Sequence, residues 1–191
     1  SVIRGDRTLS VEVADADDGG SAITDWQYST DDGTTWRSGG TATSPLSVST
    51  LSTDGTTRIA NGTSYPLAVR ALNAAGASLA SMTTSVGPST VPSAPTAALT
   101  AQNRAIRVAF TVPGDGGSPV SAIEYSLDND TWVNAGTLSS PFTIGSLTNG
   151  TSYTVHVRAR NAMGAGASST PASATPLTAP DAPDSVTALA N

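Results

Sequence analysis

Few residues in this chain could do chemistry, and each stands at a spacing that points elsewhere. Asp15, Asp17 and Asp18 crowd one loop, Asp15-Ala16-Asp17-Asp18-Gly19, and carboxylate oxygens are the ligands that Ca²⁺ takes. The loop departs from the twelve-residue calcium pattern, because its twelfth position is Trp26 where a bidentate Glu is needed. It reads as a solvated turn, with a calcium site as the alternative; no other cofactor is expected. His156 is the single histidine and the chain has no cysteine, so neither a catalytic triad nor a zinc site can be assembled. Arg4-Gly5-Asp6 sets a cation and a carboxylate about a glycine, a composition that an ordinary turn also uses. Ser29-Thr30-Asp31-Asp32-Gly33-Thr34-Thr35-Trp36 spells S-x-D-x-G-x-T-W. Physically that is a hairpin: Asp31 accepts backbone N–H bonds, Gly33 completes the turn and Trp36 packs behind it.

Composition decides which elements can hold these residues. Of 191 residues 13% are charged, and the charged set holds two glutamates (Glu12 and Glu124) and no lysine. Such a chain cannot dress the wet faces of helices, whereas its many Ser, Thr and β-branched residues suit short strands. A net charge of −6 leaves no basic footprint for nucleic acid or an anionic membrane surface. No run approaches 18 apolar residues, so direct membrane insertion is not expected. Residues 1–10 carry no apolar signal core, so any signal peptide has been removed or lies outside this sequence. The acidic, Thr- and Gly-rich chain fits an extracellular or cell-surface protein.

The chain repeats itself. Asp18-Gly19-Gly20-Ser21 recurs as Asp115-Gly116-Gly117-Ser118 and Tyr28-Ser29 as Tyr125-Ser126, both at an offset of 97. Trp36 aligns with Trp132 at 96, and Asn61-Gly62-Thr63-Ser64-Tyr65 with the stretch from Asn149 to Tyr153 at 88. The offset falls because the first copy carries extra residues, one before Trp36 and eight within 52–60. In the later copy Tyr153, Val155, Val157 and Ala159 share one face and Thr154, His156, Arg158 and Arg160 the other, the period of a half-buried strand. The earlier copy keeps Tyr65, Leu67, Val69 and Ala71 on the inward face. Seven short strands per copy, with turns every 8–12 residues, describe a two-sheet sandwich of about 100 residues. The expected organisation is a first domain over 1–90 with a truncated opening strand and a second over 91–178. Residues 179–191 then form a proline-rich linker and the opening strand of a further domain.

Leu147 and the run Asn149-Gly150-Thr151-Ser152-Tyr153-Thr154-Val155-His156-Val157-Arg158-Ala159-Arg160-Asn161, with Gly164 after it, resemble a fibronectin type III domain of the bacterial extracellular kind. Both copies share the resemblance, which implies an all-β chain of two tandem seven-stranded immunoglobulin-like sandwiches. Tyr153, and Tyr65 in the first copy, resemble the family's tyrosine corner, whose hydroxyl ties back to the chain upstream. Where the family usually has Trp at the end of its second strand, this chain has Val13 and Phe110. The cores are therefore expected to lean on Trp26 and Tyr28 in one copy and on Phe110 and Tyr125 in the other. Trp36 and Trp132 are expected to serve structure. The Ser29-to-Trp36 motif is similar to the Asp-box of sialidase-like propellers, but those need several copies, and the counterpart over 126–132 is one residue short.

Arg4-Gly5-Asp6 matches the integrin-binding tripeptide, yet falls at the turn between the first two strands. Asn61, Asn129 and Asn149 open glycosylation sequons, although Asn-Gly-Thr is also what such a turn needs. The resemblance implies a non-catalytic spacer or adhesive module of a secreted or cell-surface repeat protein. Its partners would be neighbouring repeats or copies of itself. Two alternatives stand beside it: a module whose loops bind a surface protein or glycan, and a filament subunit donating the strand at 185–189 to the next copy.

Overall fold

The computed structural model describes residues 1–14 and 17–186 of the chain. Every regular element among them is a strand, and the chain divides into two compact units. In the first sandwich β1 (Val2–Gly5), β2 (Thr8–Val11) and β5 (Leu46–Val48) form one antiparallel sheet in the order β1-β2-β5. The facing sheet takes β4 (Arg37–Ser38), β3 (Asp25–Ser29), β6 (Tyr65–Asn73) and β7 (Gly76–Ala77) in that order, with β8 (Thr84–Val86) also on β6. Leu9, Val11, Leu46 and Val48 of the smaller sheet meet Trp26, Tyr28, Leu67 and Ala71 of the larger one in a single core. Full burial of a Leu, Ile or Val contributes about 1.5–3 kcal/mol, and the alternation along each strand delivers one such residue every second position.

The second sandwich repeats this order. Its smaller sheet runs β13 (Phe142–Ile144), β10 (Ala105–Thr111), β9 (Thr96–Gln102). Its larger sheet runs β12 (Val133–Asn134), β11 (Ala122–Ser126), β14 (Tyr153–Asn161), β15 (Gly164–Ala165), with β16 (Ala172–Ala174) also on β14. Ile106, Val108, Ile144, Ile123, Val155, Val157 and Ala159 are buried between the sheets. Phe142 bridges them, 5.9 Å from the Phe110 ring and 5.6 Å from that of Tyr125.

Three local features of the sheets have physical causes. The closing strand is split into β7 and β8 in one sandwich and β15 and β16 in the other. Between the pieces, serine hydroxyls stand in for backbone acceptors: Ser78 Oγ accepts the Ala71 N–H (3.0 Å), Ser81 Oγ that of Val69 (3.1 Å) and Ser169 Oγ that of Val157 (3.0 Å). Side-chain bonds of this kind compete with the ladder and interrupt its register. Pro66 sits second in β6, and its carbonyl accepts the Asp32 N–H at 3.3 Å. The N–H and C=O of one strand residue point to the same side, so the missing donor of Pro66 faces a turn that itself donates. Residues 52–60 are built into the fold: Thr50 bridges Arg58, and Ile59 is fully buried.

Candidate functional site

The residues picked out by the sequence fall into three clusters, and in each a carboxylate accepts hydrogen bonds from the protein's own turns. The first is the turn after β3. Ser29 Oγ donates to Asp31 Oδ1 (2.7 Å) and accepts the Gly33 N–H (2.8 Å). Asp31 also accepts the Thr35 N–H on Oδ1 (2.9 Å) and the Thr35 hydroxyl on Oδ2 (2.7 Å). Asp32 and Gly33 both have positive φ, 60° and 78°, which is why a glycine completes the turn. Ser52 enters from the inserted segment: its Oγ accepts the Thr30 N–H (3.0 Å) and lies 3.0 Å from Thr35 Oγ1 and 3.4 Å from Asp31 Oδ1. Burial pushes the Asp31 carboxyl up, but the bonds from Thr35, Ser29 and Ser52 outweigh it and hold the group below its ordinary value.

The counterpart after β11 keeps the start of this arrangement. Ser126 Oγ donates to Asp128 Oδ1 (2.8 Å), which accepts the N–H groups of Asp130 (2.9 Å) and Thr131 (2.7 Å). Those bonds, led by the Asp130 N–H, depress the Asp128 carboxyl strongly. One left-handed residue, Asn129 at φ 62°, suffices for the shorter turn. The tryptophan closing each turn packs under an arginine of the central strand: the Arg70 guanidinium lies 4.3 Å from the Trp36 ring centre and that of Arg158 4.0 Å from Trp132. Arg70 Nε donates to Gln27 Oε1 (2.7 Å), and Arg158 Nε forms an ion pair with Glu124 at 2.6 Å. Trp36 and Trp132 are half-buried, as is Tyr125, whereas Trp26, Tyr28 and Phe110 belong to the cores.

The second cluster is the pole where the first hairpin meets the Asn-Gly turn, and it holds Arg4, Gly5 and Asp6. Arg4 and Gly5 end β1 and Asp6 begins the turn. Asn61 clamps this turn: its Nδ2 donates to Asp6 Oδ1 (2.7 Å) and its Oδ1 accepts the Arg7 N–H (2.8 Å). The same clamp recurs as Asn149 Nδ2 to Asn103 Oδ1 (2.8 Å) and the Arg104 N–H to Asn149 Oδ1 (2.7 Å). Asp6 therefore does what Asn103 does, and its carboxylate serves as an acceptor within the fold.

The third cluster is the acidic loop, of which Asp15 lies outside the described residues. Asp17 accepts the Gly19 N–H (3.0 Å) and Asp18 the Gly20 N–H (2.8 Å), so each carboxylate satisfies its own turn. Among the described residues no three His, Cys, Asp or Glu side chains converge as a metal cluster. Asn73, at the end of β6, pins the loop by donating to the Asp18 carbonyl (2.7 Å). Asn161 does the same for the Asp115 carbonyl (2.7 Å).

Tyr65 and Tyr153 settle the architecture. Tyr65 OH accepts the Ala60 N–H (2.9 Å) and Tyr153 OH the Thr148 N–H (3.1 Å), each five residues upstream, which is the tyrosine corner of this class of sandwich. Residues 90–175 match the fibronectin type III domain. No curated protein matches the chain in sequence. Among solved structures, chicken CNTN1 FN1–FN3 domains are 16% identical, covering 93% of this chain and 66% of theirs at a TM-score of 0.49. A crystal structure of titin domains is 17% identical, covering 88% of this chain and 57% of its own length, also at 0.49. Titin kinase with its flanking domains is 23% identical over 46% of this chain and 17% of that one, at 0.38.

Asn73 with Asn161, Arg70 with Arg158, and Ser81 with Ser169 are the pairs to which pattern reading assigned no role. All three pairs stand at the offset of 88 that aligns the two central strands. Identity at that offset on a polar face was the available signal.

Proposed function

We propose that this chain is a non-catalytic structural module, a spacer or adhesive stalk segment of a secreted or cell-surface repeat protein, with tandem domains over 1–90 and 91–178. One observation carries the reading. The tyrosine corner, the asparagine clamp and the aspartate turn are built twice, and each is closed within its own sandwich. A polar group already bonded inside its unit is committed to holding shape, and repeating that set makes a unit suited to being strung in series. Stretching the 191-residue chain by its ends tests this. Two separate unfolding steps, each releasing about 300 Å of chain at about 3.5 Å per residue, are expected. Unfolding in one step, or yielding with no measurable resistance, overturns the reading.

A binding role has one specific observation in its favour. Leu79 and Met82 are 95% and 92% exposed on the outer edge of the first sandwich, where the offset of 88 places Ala167 and Thr170 in the second. Loss of capture on protein or glycan arrays in the double variant L79S/M82S is the expected result. Capture unchanged by the double variant removes this reading.

A further inference from the structure

Asn61-Gly62 and Asn149-Gly150 are the dipeptides in which the next amide nitrogen most easily attacks the asparagine side chain, because glycine puts no Cβ in its path. The Gly nitrogen bonds to Asn Cγ, its proton passes to solvent base, and the side-chain nitrogen leaves as ammonia. Water then opens the cyclic imide to aspartate or isoaspartate, so an amide becomes an acid with no other reactant.

Both halves of that reaction are held back in this fold. The Gly62 N–H is bonded to the Pro88 carbonyl (3.0 Å) and the Gly150 N–H to that of Pro176 (2.9 Å), so the nucleophile is occupied. The electrophile is occupied as well: Asn61 bonds Arg7 and Asp6, and Asn149 bonds Arg104 and Asn103. Both glycines sit at positive φ, 77° and 81°, and three bonds must break together before either side chain can swing onto its neighbour.

We propose that Asn61 and Asn149 are deamidation sites that the fold keeps closed, and that the aspartate product is damaging at the first site and tolerated at the second. The asymmetry comes from the partner of Nδ2. A carboxylate at position 61 keeps the acceptor for the Arg7 N–H, but it loses its donor and faces the Asp6 carboxylate at hydrogen-bond distance. Like charges that close, with no proton between them, repel. A carboxylate at position 149 meets Asn103 instead, whose amide turns over and donates to it. The first sandwich thus carries a clock: once opened and converted to aspartate at position 61, it closes less well, while the second tolerates aspartate at position 149.

Two measurements on the full chain test this. Peptide mass mapping after incubation in mildly alkaline buffer reads the conversion at each site, with and without urea. Conversion in the native buffer is expected to be slower at both sites by about 100-fold or more, the factor set by the rarity of local opening. Equal rates in the two buffers overturn the closed-site half. Urea unfolding of N61D, N149D and the double variant D6N/N61D reads the second half. The first sandwich is expected to lose midpoint in N61D and regain most of it when Asp6→Asn restores a donor, with N149D shifting the second sandwich least. Equal losses in N61D and N149D, or no recovery in D6N/N61D, overturn the asymmetry. Should N61D fail to fold, a folded first sandwich in D6N/N61D supports the asymmetry, and an unfolded one overturns it.

Discussion

The turn at Asp31 and the turn at Asp128 begin alike, with a buried serine hydroxyl donated to the aspartate, and then diverge. The second is short, needs one left-handed residue, and leaves Asp128 to be satisfied by two backbone N–H groups of its own loop. The first is one residue longer and draws Asp31 toward the protein, where a chain-distant serine, Ser52, completes its shell. Insertions on a surface are tolerated at little cost, but the extra residues within 52–60 do more than lengthen a loop. Set beside the shorter turn, the insertion supplies the Ser52 hydroxyl that a deeper aspartate turn requires. Arg37 then lies over Gly55, where an added Cβ would fall on its guanidinium carbon.

The strongest way to break this comparison is at its apolar end. Ile59 is 0% and Leu147 7% exposed at equivalent positions, so Ile59→Ala and Leu147→Ala should each cost about 2–5 kcal/mol. Urea unfolding that shows Ile59→Ala to be nearly neutral while Leu147→Ala is costly would break that equivalence. Next comes Ser52→Ala, which strands the buried Thr30 N–H and should cost the first sandwich about 1–3 kcal/mol. Among the described residues no serine of the second sandwich fills that role, so a double cycle with Asp31→Asn sharpens the point: the two losses should be non-additive, and additivity would disconnect Ser52 from the turn.

Acid should act next. Asp31 and Asp128 are held below the ordinary carboxyl value of about 3.9, and the Thr57 hydroxyl, with the Thr56 and Thr57 N–H groups, lowers Asp54 to about 2. A depressed folded-state value contributes stability above the unfolded value, which is lost as pH falls through the folded one. Both sandwiches should therefore weaken between about pH 4 and pH 2, and Asp54→Asn should flatten that slope in the first alone; an unchanged slope refutes the assignment. The smallest effect belongs to the arginine stacks. Arg158→Ala should cost more than Arg70→Ala, both about 1 kcal/mol or less, because it leaves Glu124 unpaired at 16% side-chain exposure. Adding salt should narrow the gap, and a gap that widens with salt would speak against the ion pair.

The tandem repeat, the strands and their inward faces were written in the sequence. Alternation of period two is a local property, so Tyr153, Val155, Val157 and Ala159 declare a buried face without knowledge of any partner. The tyrosine corner was legible only through the family resemblance of Tyr65 and Tyr153; the structure shows its hydroxyl reaching five residues back. What the tertiary structure alone decided is where the polar side chains go. Ser52 meets Thr30 across 22 residues, Asn61 meets Asp6 across 55 and Asn149 meets Asn103 across 46. No spacing rule announces such a pair, because a hydrogen bond needs a particular distance and direction that exist only once the two sheets have packed and brought remote turns to the same pole.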